Sequence, residues 1–123
     1  MDTYHVWCNL KDGRRDLEFA RAVSDYLGTL QSAEKIHGWR LARRKLGFGP
    51  NTLGEFHVTI ETEDLAQLDR AFAVVARRAG ELEELHRGVW SLATDLTFAL
   101  YRDFPDPERG SAPLSMPLSM EAR

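Results

Sequence analysis

Three segments of this chain alternate apolar and polar residues with a period of two, and that pattern limits the fold more than anything else. In "GEFHVTIE", residues 54–61, Phe56, Val58 and Ile60 alternate with Glu55, His57, Thr59 and Glu61. This is the signature of a strand with one apolar face. "TYHVWCNL" (3–10) repeats it, with Tyr4, Val6, Cys8 and Leu10 on one side and His5, Trp7 and Asn9 on the other. "TDLTFALYRDF" (94–104) sets Leu96, Phe98 and Leu100 against Asp95, Thr97, Ala99 and Tyr101. A less regular, arginine-rich segment, "IHGWRLARRKLG" (36–47), predicts a fourth strand.

Between these strands the spacing turns helical. After the turn signal "KDG" at 11–13, residues 14–31 predict a helix. Its stripe runs Leu17, Ala20, Val23, Leu27 and Leu30, flanked by Phe19 and Tyr26. "FGPN" at 48–51 is loop chemistry. Thr62 is the expected N-cap of a second helix, with Glu63 and Asp64 favoured in the first turn by the helix dipole. That helix carries Leu65, Leu68, Phe72, Val75, Ala76 and Ala79 on one stripe. Gly80 interrupts it, and helical spacing resumes through Leu82, Leu85, Val89 and Trp90.

The order β-α-β-β-α-(α)-β predicts an α+β, ferredoxin-like domain over residues 1–104. Right-handed crossovers give an antiparallel sheet of strand order 4-1-3-2. Single-striped helices must share one face of it, over the rows Val6/Cys8/Leu10, Phe56/Val58/Ile60 and Leu96/Phe98/Leu100.

Composition narrows the class. A chain of 123 residues is one domain by default. The net charge of -3 argues against a dedicated nucleic-acid binder. The lone cysteine, Cys8, excludes an internal disulfide and lies in an apolar strand, where a small buried hydrophobe is expected. "MDTYHVWCNL" lacks the charged and apolar regions of a signal peptide, and no segment has the ~20 apolar residues of a membrane span. A cytoplasmic protein without membrane partners is expected.

The face opposite the helices collects His5, Trp7, Asn9, Glu55, His57, Thr59, Asp95, Thr97 and Tyr101. Trp7 on a central strand would expose a large apolar area, which soluble monomers avoid. A second copy of the sheet covers such a face most economically, so a homodimer enclosing a part-polar, part-aromatic chamber is expected.

With "GWRLARRKLGFGP" leading into "LGEFHVTIETEDLAQLDRAF", the chain resembles the dimeric α+β barrel superfamily. That group includes the antibiotic-biosynthesis monooxygenases, the stress-responsive A/B barrel proteins and uncharacterised families of short bacterial proteins, one of which is most similar. The resemblance covers about residues 3–104. It implies a homodimer with a ligand pocket between sheet and helices, and it does not fix a reaction. No catalytic motif carries over from it.

The expected function is a small cofactor-free enzyme or binding protein for an aromatic or polyketide-like molecule. A non-catalytic dimeric interaction domain is the rival, and a ligand-gated accessory module a third possibility. His57 is the candidate general acid or base, or else a structural histidine in the dimer sheet. Tyr101 is the second catalytic candidate, able to donate a proton or orient a substrate oxygen, or else a seam residue. Asn9, Thr59 and Thr97 are candidate polar ligand contacts, and Trp7 is a stacking wall or interface packing. His5 shares the parity of His57, but the antiparallel register sets His57 nearer Trp7 or Asn9. A two-histidine metal site would need a shifted register and has no third ligand, so no metal and no cofactor are expected. Arg40 and Arg44 either hold a carboxylate or phosphate or guard an edge strand against aggregation. His37 and His86 are expected at the surface or a helix end.

RNA-recognition domains share this fold, but they need exposed aromatics where this chain has Glu55, His57 and Thr59. Past residue 104 the sequence loses periodicity. Residues 105–123 hold four of the five prolines and the tetrapeptide PLSM twice. They form either a flexible tail or an arm on a partner subunit, with Leu114, Met116, Leu118 and Met120 as pegs.

Overall fold

Strand β1 (Asp2–Leu10) takes the middle of the sheet because its apolar row is matched by a strand on either side. The computed structural model describes residues 1–78 and 80–106. After β1 come a 3-10 turn (Gly13–Arg15), α1 (Asp16–Ser32), β2 (Gly38–Arg43), β3 (Phe56–Thr62), α2 (Leu65–Ala76), α3 (Gly80–Trp90) and β4 (Ala93–Arg102). The sheet order is β2-β3-β1-β4, fully antiparallel, which is the expected ferredoxin-like arrangement. The residues of the expected C-terminal arm, Leu114 to Met120, lie outside the described residues. Among the described residues no helix is long and apolar enough to cross a membrane.

One face of the sheet carries the core. Val6 and Cys8 of β1 meet Phe56 and Val58 of β3, and Phe19, Val23, Leu27 and Leu30 of α1 close over them with Val89 of α3. Burial pushes the Cys8 thiol up to about 11, so it behaves as an inert apolar side chain. The phase of α1 differs from the sequence expectation. Phe19 is fully buried whereas Leu17 is 72% exposed, because at 3.6 residues per turn Phe19 lines up with Val23, Tyr26 and Leu30 while Leu17 falls on the far side of the helix. The buried line is therefore Phe19, Val23, Tyr26, Leu27 and Leu30.

Three further expectations are corrected. The N-cap of α2 is Asp64, whose carboxylate accepts from the Gln67 N–H at 2.8 Å. Thr62 belongs instead to β3 and pairs with Asp2. The arginine-rich strand is shorter than 36–47, since pairing stops at Arg43. The row Leu96/Phe98/Leu100 is not covered: these side chains are 43, 56 and 51% exposed. They point to the helix side, where Phe98 stacks on Tyr4, but the helices sit over β1 and β3 and cover only the start of β4, where Ala93 joins the core.

Two backbone features fix the site. Gly54 precedes β3 where a Cβ would collide with the backbone of Cys8, so only glycine permits this approach. β4 carries a bulge, with its register to β1 shifting between Trp7 and Asn9 and Asp95 at φ 56°.

Candidate functional site

The polar face of the sheet is built in cross-strand rows. One row runs Ala42, His57, Trp7, Thr97, and the next runs Arg40, Thr59, His5, Ala99. A third sets Gly38, Glu61, Thr3 and Tyr101 in line. In the first two rows the rings of His57, Trp7 and His5 stand on the two inner strands, and Tyr101 brings a further ring from the outer strand β4.

Those rings form a stacked tier. Trp7 and His57 lie 4.6 Å apart at 4°, and His5 continues the stack at 5.4 Å from Trp7 and 5.1 Å from His57. Tyr101 closes one side edge-on to His5 at 5.1 Å. The expectation that His5 and His57 meet only after a register shift is corrected. His57 is indeed the cross-strand partner of Trp7, yet its Nε2 lies 2.9 Å from Nδ1 of His5. Diagonal neighbours two residues off register stay within reach of ring side chains. Thr59 Oγ1 adds a longer contact to the same Nε2 at 3.4 Å.

Electrostatics keep the pair neutral. Burial lowers the pKa of His5. For His57 burial again comes first, reinforced by the neighbouring His5 and by the positive charge of Arg40. Two neutral imidazoles share one N–H across the 2.9 Å gap, and each has a second ring nitrogen left to act elsewhere.

Beside the tier lies a cavity of about 230 Å³ lined by Trp7 and His57 and walled by the β2–β3 loop, including Phe48, Pro50 and Leu53. Arg44 organises that wall. Its Nη2 donates to the carbonyls of Pro50 at 3.1 Å, Leu53 at 2.5 Å and Gly54 at 3.4 Å. Arg40 is exposed on the β2 edge and faces His57 electrostatically, so the two arginines have separate surroundings. Arg43 bridges Glu55 and Asp16.

Asn9 is held at both ends of its amide: Oδ1 accepts from the Glu55 N–H at 2.9 Å and Nδ2 donates to Asp95 at 3.1 Å. Thr97 stands opposite Trp7, and Tyr101 is exposed at the margin. His37 faces Glu63 at 3.9 Å on the surface. His86 departs from expectation: it is half-buried, edge-on to Tyr26 at 5.4 Å, and burial lowers its pKa. Sequence reasoning missed the loop wall, whose only signal is the Gly-Pro-Asn turn chemistry around Pro50. No group of three or more metal-ligating side chains occurs among the described residues.

The same fold occurs in several solved structures. HapK from Hahella chejuensis aligns with a TM-score of 0.64 at 16% identity, over 91% of this chain and 98% of that one. A Deinococcus radiodurans protein assigned by name to the antibiotic biosynthesis monooxygenases gives 0.62 at 13%, over 95% and 100%. A dimeric ferredoxin-like protein of unknown function from a Jannaschia species gives 0.62 at 13%, over 83% and 99%. No curated protein matches the sequence. Residues 1–114 match the model of a family of unknown function, DUF6614, and the chain belongs to that family.

Proposed function

We propose that this protein is a homodimer whose polar sheet faces bind a small aromatic or polyketide-like molecule, with His57 as acid/base group. The parallel Trp7–His57–His5 tier beside the 230 Å³ cavity carries this proposal. A flat ring slides onto such a tier at stacking distance, and Thr97 and Thr59 offer hydroxyls at its border. His57, neutral at neutral pH, takes a proton from an acidic phenol or activated carbon of the ligand. With dioxygen as co-substrate, the resulting anion is the species a cofactor-free oxygenase oxidises. Asn9 ties the Glu55 N–H, just ahead of β3, to the Asp95 carboxylate of β4 at the edge of the ligand site. The dimeric solved relative supports the assembly.

A second function, a non-catalytic dimer seam, is favoured by one observation. At about 230 Å³ the cavity is smaller than the roughly 300–1,000 Å³ of ordinary ligand pockets. Native mass spectrometry of gently purified protein, with His57→Ala as comparison, separates the two. A dimer carrying an added small-molecule mass, lost in His57→Ala while the dimer persists, supports the ligand chamber. A clean dimer that weakens in His57→Ala supports the seam, and a monomer overturns both.

A further inference from the structure

Away from the sheet's polar face, residues of α2 and α3 line a cavity of about 590 Å³, well inside the range of small-molecule pockets. No strand residue lines it. Phe72 and Val75 of α2 and Trp90 of α3 form its apolar floor. Phe72 packs one edge against Tyr4 at 5.3 Å and keeps almost half its surface exposed toward the cavity.

The rim is cationic. Arg78 and Arg87 stand there against a single carboxylate, Glu83, which Arg87 meets at 3.6 Å. Arg78 makes no ion pair among the described residues. Its backbone is left-handed, φ 51°, at the end of α2 where glycine is the usual occupant. A long charged side chain is therefore carried at a position whose backbone favours none. His86 adds a polar group to the wall that burial keeps neutral, between Tyr26 and Trp90.

We propose that the cleft between α2 and α3 binds a small carboxylate with a flat apolar body, its anionic group held by Arg78 and Arg87 and its body on Phe72, Val75 and Trp90. Two guanidiniums and one carboxylate leave a net positive rim above an apolar floor, which selects an anion over a neutral molecule of the same shape. The site is independent of the polar-face chamber and stands whether or not that chamber is catalytic.

The test titrates naphthalene-2-carboxylate, and separately its uncharged carboxamide, into the full-length protein. Binding is followed through the three tryptophan indole N–H resonances. The carboxylate is expected to bind saturably, to shift Trp90 while Trp7 and Trp39 hold still, and to exceed the carboxamide by about tenfold in affinity. Arg78→Gly removes the guanidinium and relieves the left-handed backbone, so it is expected to melt no lower than the parent. It should drop carboxylate affinity to that of the carboxamide. Equal affinity for both probes, unchanged affinity in Arg78→Gly, a shift at Trp7 instead of Trp90, or no saturable binding each overturns the proposal.

Discussion

His5 and His57 share a hydrogen bond of 2.9 Å although neither is the other's cross-strand partner. One ring supplies the N–H and the other the lone pair, so the contact exists only while one imidazole is neutral. It joins β1 to β3 through side chains, on top of the backbone ladder. Replacing His57 by Ala leaves His5 without its hydrogen-bond partner and Trp7 without the nearer of its two stacked rings. A loss of about 1–2 kcal/mol in urea unfolding is expected, combining one net hydrogen bond and one ring pair.

The same pair sets a pH dependence. The folded pKa values of His5 and His57 lie below the ordinary 6.5, because burial disfavours the charged rings. The unfolded chain then binds more protons than the folded one in this window, so stability rises with pH. It is complete above about 6.5 and falls as the pH drops from there through the lowered folded values. Melting temperature against pH is expected to be flat above neutrality and to decline below 6.5. The decline should become shallower in the double variant His5→Gln, His57→Gln.

Gly54→Ala probes the close approach of the chain to β1. The added methyl meets the Cys8 backbone, which cannot turn aside as a side chain can. A loss of about 2–3 kcal/mol is expected. The cavity wall should loosen as well, since Arg44 is anchored on the Gly54 carbonyl. Chemical denaturation reads the first effect, and amide exchange over residues 48–54 the second.

A pair of substitutions in α1 tests the phase of that helix. Leu17→Ala is expected to change stability by less than about 0.5 kcal/mol, since the side chain is mostly in water. Phe19→Ala removes a ring packed edge-on against Phe56 and should cost about 3–5 kcal/mol. Similar costs at both positions would refute the observed phase.

Alternation made the strand faces, their order and the central rings legible in the sequence, because a period of two assigns side chains to faces directly. It said nothing about coverage, so Leu96, Phe98 and Leu100 were legible as a row but not as a bare one. The Thr62 cap was misplaced because β3 runs on to pair Thr62 with Asp2, moving the cap to Asp64. The meeting of His5 and His57 depends on the lean of two rings across a diagonal, and strand register alone does not report it. The loop wall was hidden for a related reason. Arginine donating to three carbonyls leaves no periodic trace.

The first and last strands of this domain lie side by side: Val6 pairs with Val58 on one side and with Phe98 on the other. Asp2 accepts from Arg102 at 2.7 Å, and Asp103 N–H reaches the Met1 carbonyl at 3.2 Å. On a ribosome adding about 5–20 residues per second, β1 emerges and then waits roughly 5–20 s for its second neighbour. The domain's central strand is thus completed only once nearly all of the domain has been synthesised, and a nascent chain arrested inside β4 leaves half of the β1 ladder open to other partners.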